Sequence, residues 1–243
     1  MTELRTKSLA QIVNANYKTA SVFEKYNLDF CCQGKRSLQQ ACTESKVPVE
    51  QIISELDNIT MSGDIGLDFS KMSLSQLVDY IVITHHAYVK QQMPSIFEYV
   101  QKVAFKHGQR HPEMLKVLET FAAVQKEMKE HMEKEELVLF PRIKALEKSI
   151  TKNEQPNRET SYLQSPITVL EGEHDHAGRL LEKIRDLTNN YTPPTDACTT
   201  YRLSLSSLQA FEFDLHHHVH LENNILFPTA LSLYKKMNEA SLN

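Results

Sequence analysis

HMEKEELVLFP, residues 131–141, and HVHLENNILFP, residues 218–228, are near-copies: each sets a glutamate four residues after a histidine and Phe-Pro five residues after that glutamate. Both lie in stretches whose apolar residues recur three and four apart, the rhythm of one helix face. In the first the stripe runs Met114, Val117, Phe121, Val124, Met128, His131, Glu135, Val138; in the second it runs Leu208, Phe211, Leu215, His218, Glu222, Ile225. The His/Glu pairs therefore stand where a core is expected.

Two further stripes carry one interruption each. Leu74, Val78, Val82, His86, Val89, Met93, Ile96, Val100 form one, and Ile167, Leu170, His174, Ala177, Leu181, Ile184 the other. The chain reads as a pseudo-repeat in which each half joins a lone-His helix to a His-x-x-x-Glu helix. A single inward histidine is commonly a satisfied core residue. Four such interruptions with two carboxylates point instead to a shared metal site, because buried charges and imidazoles need partners.

Four nitrogens and two carboxylates exceed what tetrahedral zinc needs, and no thiolate lies on any stripe. Two metals bridged by Glu135 and Glu222, each with two histidines, satisfy the set. Iron suits it best, with manganese next, and His86 with His131 on one ion and His174 with His218 on the other is the expected pairing. Ferritin-like bundles want Glu-x-x-His on two helices; here only Glu171 with His174 has that spacing.

The four long helical patterns cover roughly 73–107, 112–149, 166–190 and 196–237, broken by HGQRHP, TKNEQPNRETSYLQS and NNYTPPTD. Short to moderate loops between long helices make an antiparallel four-helix bundle the simplest packing. Pro94 should kink the first rod. Before them SLAQIVNAN, KTASVFEKYN, SLQQACTES and PVEQIISELDN read as short helices, with Gly34 in a turn and Ser37 as an N-cap. The expected fold is all-α: a small N-terminal helical domain over 1–60, a linker over 61–72 and the bundle over 73–238.

The 243 residues are 41% hydrophobic and 24% charged, with a formal net charge of -4, which offers no basic field for nucleic acid or anionic lipid. No apolar run is long enough for a membrane span or a signal peptide, so a cytoplasmic location is expected. The 4 cysteines do not make a disulfide framework.

NLDFCCQGKRSLQQA, HHAYVKQQMP, HMEKEELVLFP, EGEHDHAG, NNYTPPTDACTT and HVHLENNILFP together resemble the repair-of-iron-centres family of ScdA/YtfE-like di-iron proteins over essentially the whole chain. The resemblance implies a haemerythrin-like bundle with a non-haem di-iron centre, oxo- or hydroxo-bridged, on His86, His131, Glu135, His174, His218 and Glu222. It implies repair of iron-sulfur clusters damaged by nitrosative or oxidative stress, by iron supply, with damaged iron-sulfur proteins as partners and nitric oxide or oxygen as small ligands. Oxygen-carrying haemerythrins typically add a histidine four residues after the one on the third helix. Here that place is Gly178, which argues against a dedicated oxygen carrier.

The resemblance also favours a redox or iron-handling role for Cys31 and Cys32, with Lys35 and Arg36 nearby to favour thiolate. Cys42 and Cys198 read as structural. His85, His216, His217 and His220 are expected to be exposed or outside the ligand set, and His176 lies off the stripe. Glu136 points away from the core; Glu173 is a candidate for lining access to the site. His107 and His111, as His-x-x-x-His beside Gly108, are a weak zinc signal. Two competing functions are a nitric oxide reductase using electrons relayed through Cys31 and Cys32, and an oxygen or nitric oxide sensor. A homodimer is left open.

Overall fold

The computed structural model describes residues 2–61, 67–152 and 161–240. The expected linker therefore lies partly outside the described residues, as does much of the polar run before the third rod.

The N-terminal helices are α1 (Thr2–Thr6), α2 (Leu9–Ala15), α3 (Ala20–Lys25), α4 (Leu38–Glu44) and α5 (Val49–Met61). Ser8 accepts from the Gln11 amide while the Gln11 side chain accepts from the Ser8 amide, a reciprocal cap that starts α2. Ser37 caps α4 through the Gln40 amide at 3.2 Å, as its sequence position implies. Gly34 is required by close approach: a Cβ there would sit 2.3 Å from the Phe30 carbonyl oxygen. Leu9, Phe23, Phe30, Leu38, Ile52 and Leu56 fill a separate apolar core.

The first rod joins α6 (Leu74–Tyr80), a π-helical turn at Ile81–His86 and α7 (Ala87–His107). The second joins α8 (Glu113–Lys134), a π turn at Glu135–Leu139 and α9 (Phe140–Lys152); the third is α10 (Ser161–Leu187). The fourth joins α11 (Thr199–Leu221), a π turn at Glu222–Leu226 and α12 (Phe227–Ala240). The third rod starts before its expected proline, so Pro166 lies inside α10. It ends where Asn189, Asn190 and Tyr191 take φ of 47°, 55° and 57°, left-handed backbone that cannot continue the helix. Pro94 lies inside α7, which remains helical through it. Across the bundle α8 packs on α10 and α7 on α11.

The π turns correct the expected stripes. Each accommodates an extra residue in the helix, so the buried register resumes one place later. Leu139 and Phe140 are buried, whereas Val138 is 40% exposed; Leu226 and Phe227 are buried and Ile225 only partly so, and in the first rod, where the π turn precedes His86, the shift falls on its N-terminal side, with Ile81 buried and Val82 only partly so. Two apolar clusters result, one around Phe121 and Phe211 and one around Phe140 and Phe227, with a polar layer between them.

Glu147 on α9 caps the start of the first rod, accepting from the Leu74 and Ser75 amides at 2.8 and 3.1 Å. Burial works against its charge, but the bonds from Ser75, Leu74 and Ser73 prevail and hold its carboxyl below the usual value. A depressed folded pKa stabilises the fold above the unfolded carboxylate range, and the gain disappears as pH falls through the folded value. Glu147→Ala is expected to cost about 1 kcal/mol near neutrality, with the difference from the parent shrinking in acid. Urea melts at two pH values check it; a constant difference would discount the cap.

Candidate metal centre

His86, His131, Glu135, His174, His218 and Glu222 all lie in the polar layer, each at most 2% exposed. Ligand-type atoms of His86, Glu135, His218 and Glu222 lie within 4.8 Å of one another, and so do those of His131, Glu135, His174 and Glu222. The two groups share both carboxylates. One Glu135 oxygen stands 3.3 Å from His86 Nε2 and 3.2 Å from His131 Nε2. Glu222 reaches His218 with Oε1 at 3.0 Å and His174 with Oε2 at 3.2 Å.

This corrects the expected pairing. His86 meets His218, Nε2 to Nε2 at 3.1 Å, and His131 meets His174 at 2.9 Å. Sequence order joined histidines within each half, whereas packing of the first rod on the fourth and of the second on the third brings them together across halves.

The donors fit metal ions by their own chemistry. Both oxygens of Glu135 and Oε2 of Glu222 are buried without a hydrogen bond, and facing imidazole nitrogens at these distances call for a proton or a cation between them. Burial raises the Glu222 carboxyl, but His218 and His174 overcome it and hold it well below the usual value. Burial lowers His131, yet Glu135 and Glu173 raise it to about 10. The anions thus demand positive charge in this place. Oxygen and imidazole donors without thiolate suit iron or manganese.

Outer acceptors fix the rings. His86 Nδ1 pairs with Glu136 at 2.7 Å, His131 Nδ1 with Glu173 at 3.0 Å and His174 Nδ1 with Asn223 at 2.9 Å. With Nδ1–H donating outward, the Nε2 lone pair faces the centre. Lys90 and Lys134 anchor Glu136 and Glu173 in turn. Among the described residues His218 Nδ1 has no hydrogen-bond partner; its ring stacks on His85 at 5.7 Å. The roles of Glu136 and Asn223 were missed in the sequence, although each directly follows the shared glutamate of its repeat. Glu136→Gln and Glu173→Gln should each weaken metal binding roughly 10–100-fold, read by competition with a chromophoric chelator; unchanged affinity would remove these residues from the centre.

Glu173 also lines, with Glu127, Glu130, His131, Lys134 and His176, a cavity of about 290 Å³ that reaches the outer edge of His131. His176 stays off the stripe and pairs with Glu127. His85, His216, His217 and His220 enter neither ligand group, but they are buried or half-buried rather than exposed. His85 is buried against Asp214 at 2.9 Å. His216 pairs with Glu24, His220 with Asn14 and the Phe30 carbonyl, and His217 meets Tyr17 edge to face. His216, His217 and His220 thus form the seat of the N-terminal helices. His111 pairs with Glu113 and Asp196, and His107 with Cys198, so the two do not share a zinc-type site.

That seating brings Cys31 into the apolar cluster of the bundle and Cys32 beside Gly178, whose missing Cβ would lie 4.0 Å from the Cys32 sulfur. The sulfurs are 3.9 Å apart, and the Cys31 thiol donates to Asp29. Asp29, Cys31 and Cys32 form a third group with metal-type spacing, beside a cavity of about 540 Å³ between the two parts of the chain. The expected help from basic neighbours is absent at Cys31: Cys32, burial and Asp29 push its thiol well up, and Arg36 turns to Glu44. Cys42 packs in the N-terminal core, consistent with a structural role.

A helical bundle with a buried layer of imidazoles and carboxylates, drawn from pseudo-repeated rods, defines a haemerythrin-like cation-binding protein. The model of the Hemerythrin HHE cation binding domain matches residues 77–230, and that of ScdA_N, Domain of Unknown function (DUF542), matches residues 5–60. The chain is 34% identical over 229 residues to the iron-sulfur cluster repair protein YtfE of Shigella boydii serotype 4 (strain Sb227), covering 94% of this chain and 98% of that one. The same figures hold for the protein of that name from Escherichia coli O157:H7, and identity is 33% over 228 residues for that of Enterobacter sp. (strain 638), with the same coverage. The chain therefore belongs to the ScdA/YtfE-like family of haemerythrin-domain proteins.

Proposed function

We propose that the chain holds two iron ions in the bundle and repairs damaged iron-sulfur clusters by supplying iron to them. The observation that carries this reading is the pair of four-residue groups sharing Glu135 and Glu222, together with the full-length likeness to proteins named for cluster repair. His86 and His218 would hold one ion and His131 and His174 the other, with both glutamates between them. Bound iron would supply redox-active, exchangeable cations.

The chain's own part is to switch between holding and release. Carboxylates change coordination more readily than imidazoles held by outer hydrogen bonds, so Glu135 and Glu222 are the hinges of release. No donor stands at Gly178, where the Cys32 sulfur approaches instead. The N-terminal part, taken as 1–60 with a linker over 61–72, would present Cys31 and Cys32 to the bundle, where thiols could receive a departing ion. Among the described residues no helix is long and apolar enough to cross a membrane, and free thiols suit the cytoplasm, where we place the protein.

The test is anaerobic incubation of isotopically labelled, iron-loaded protein with a cluster protein damaged by nitric oxide. Label recovered in a rebuilt cluster, and reduced transfer from a Cys31→Ser/Cys32→Ser variant, are expected. Retained label with nitrous oxide formed at turnover would overturn iron supply in favour of nitric oxide reduction.

A further inference from the structure

At the end of the bundle remote from the metal layer, the last residue of α7 meets the residue that precedes α11. His107 Nε2 lies 3.3 Å from the Cys198 sulfur. Twenty residues of helix separate Cys198 from His218, about 30 Å along the axis, so this pair is independent of the centre. The thiol is only half-buried and is free of any disulfide. Its N-cap position makes no side-chain capping bond, so the sulfur has no structural hydrogen bond beyond His107.

Cys198 and His107 line an open cavity of about 530 Å³ with Lys102, Lys106, Val103 and Phe105. Phe105 is 77% exposed, an apolar wall beside two cations. Cys198 also packs against the edge of the apolar cluster, but a nucleophile, a base within proton-transfer reach and a cationic, partly apolar recess together form a reaction site. Of the neighbouring acids, Asp196 and Glu113 face His111, while Glu98 reaches Lys102 at 3.7 Å in an exposed pair that solvent screens.

We propose that Cys198 is a thiol-exchange site that forms a mixed disulfide with small, carboxylate-bearing disulfides. His107 Nε2 takes the thiol proton as the sulfur attacks one sulfur of the disulfide. The new S–S bond forms while the old one breaks, and the leaving thiolate receives the proton from His107. One disulfide is consumed and one made, with no external electrons. Lys102 and Lys106 select the carboxylates. The site would record oxidising conditions on the protein without touching the metal ligands.

The test uses full-length, metal-loaded protein with glutathione disulfide, which is anionic, and in parallel with cystamine, which is cationic. Adducts are mapped by peptide mass spectrometry and timed. A Cys198 adduct is expected with glutathione disulfide. Lys102→Ala/Lys106→Ala should slow that reaction roughly tenfold by loss of electrostatic attraction without slowing cystamine. His107→Gln, which keeps a polar side chain but cannot take the proton, should slow both about tenfold or more. Should His107→Gln fail to fold, the contrast between the two disulfides in the lysine variant decides alone. Adducts confined to Cys31 and Cys32, or a lysine variant that slows both reagents equally, would overturn the proposal.

Discussion

Glu222→Leu is expected to bring the metal content from the proposed two ions per chain to fewer than one while leaving the helical bundle intact. Glu222 places one oxygen against His218 and the other against His174, so its loss strips a donor from both groups. Among the described residues no other carboxylate besides Glu135 reaches both groups. Leucine fills similar volume, but removing one partner of a buried charged set leaves His174 and His218 without their carboxylate, which lowers the stability of the metal-free protein. Metal binding, in contrast, contributes stability by mass action, about 4 kcal/mol at a free concentration a thousandfold above Kd. The variant should therefore melt below the parent when both are metal-free, and in addition lose the rise in Tm that metal gives the parent. Metal analysis that still finds two tightly held ions per chain would refute the assignment of this residue.

Phe227→Ala should give the largest loss of fold stability among the changes considered, about 3–5 kcal/mol. Phe227 is fully buried, and its ring lies parallel to that of His174, 6.2 Å away at an interplanar angle of 4°. Phe140 stands in the same relation to His86, at 5.6 Å and 26°. The repeated Phe-Pro thus has a physical reason: each phenylalanine backs the lone histidine of the neighbouring rod. Truncation opens a cavity behind a ligand, so metal affinity should fall along with stability. Phe227→Leu keeps most of the volume and should cost less than about 1.5 kcal/mol. Urea unfolding of the metal-free proteins separates the two variants. A Phe227→Ala loss near that of Phe227→Leu would show that the ring is not a packed support.

Much of this protein is legible in one dimension. The spacing of His131 to Glu135 and of His218 to Glu222, set in apolar stripes, determines that these side chains enter a core together. It marks His86 and His174 by the same rule, and the Ser and Gly positions around α4 follow from capping and turn chemistry. These properties are local, fixed by the geometry of a single helix turn.

What only the tertiary structure decided concerns neighbours distant in sequence and departures from regular geometry. Periodicity assumes 3.6 residues per turn, so it could not foresee the π turns that shift Val138 out of the core and Ile225 to its edge. It ranks residues around one axis but not which axes adjoin, and His86 therefore found His218 rather than His131. His216, His217 and His220 face away from the centre as the sequence implies, yet the N-terminal helices cover that face. A polar residue on a helix's far side is exposed only if nothing packs there, and packing is a property of the whole chain.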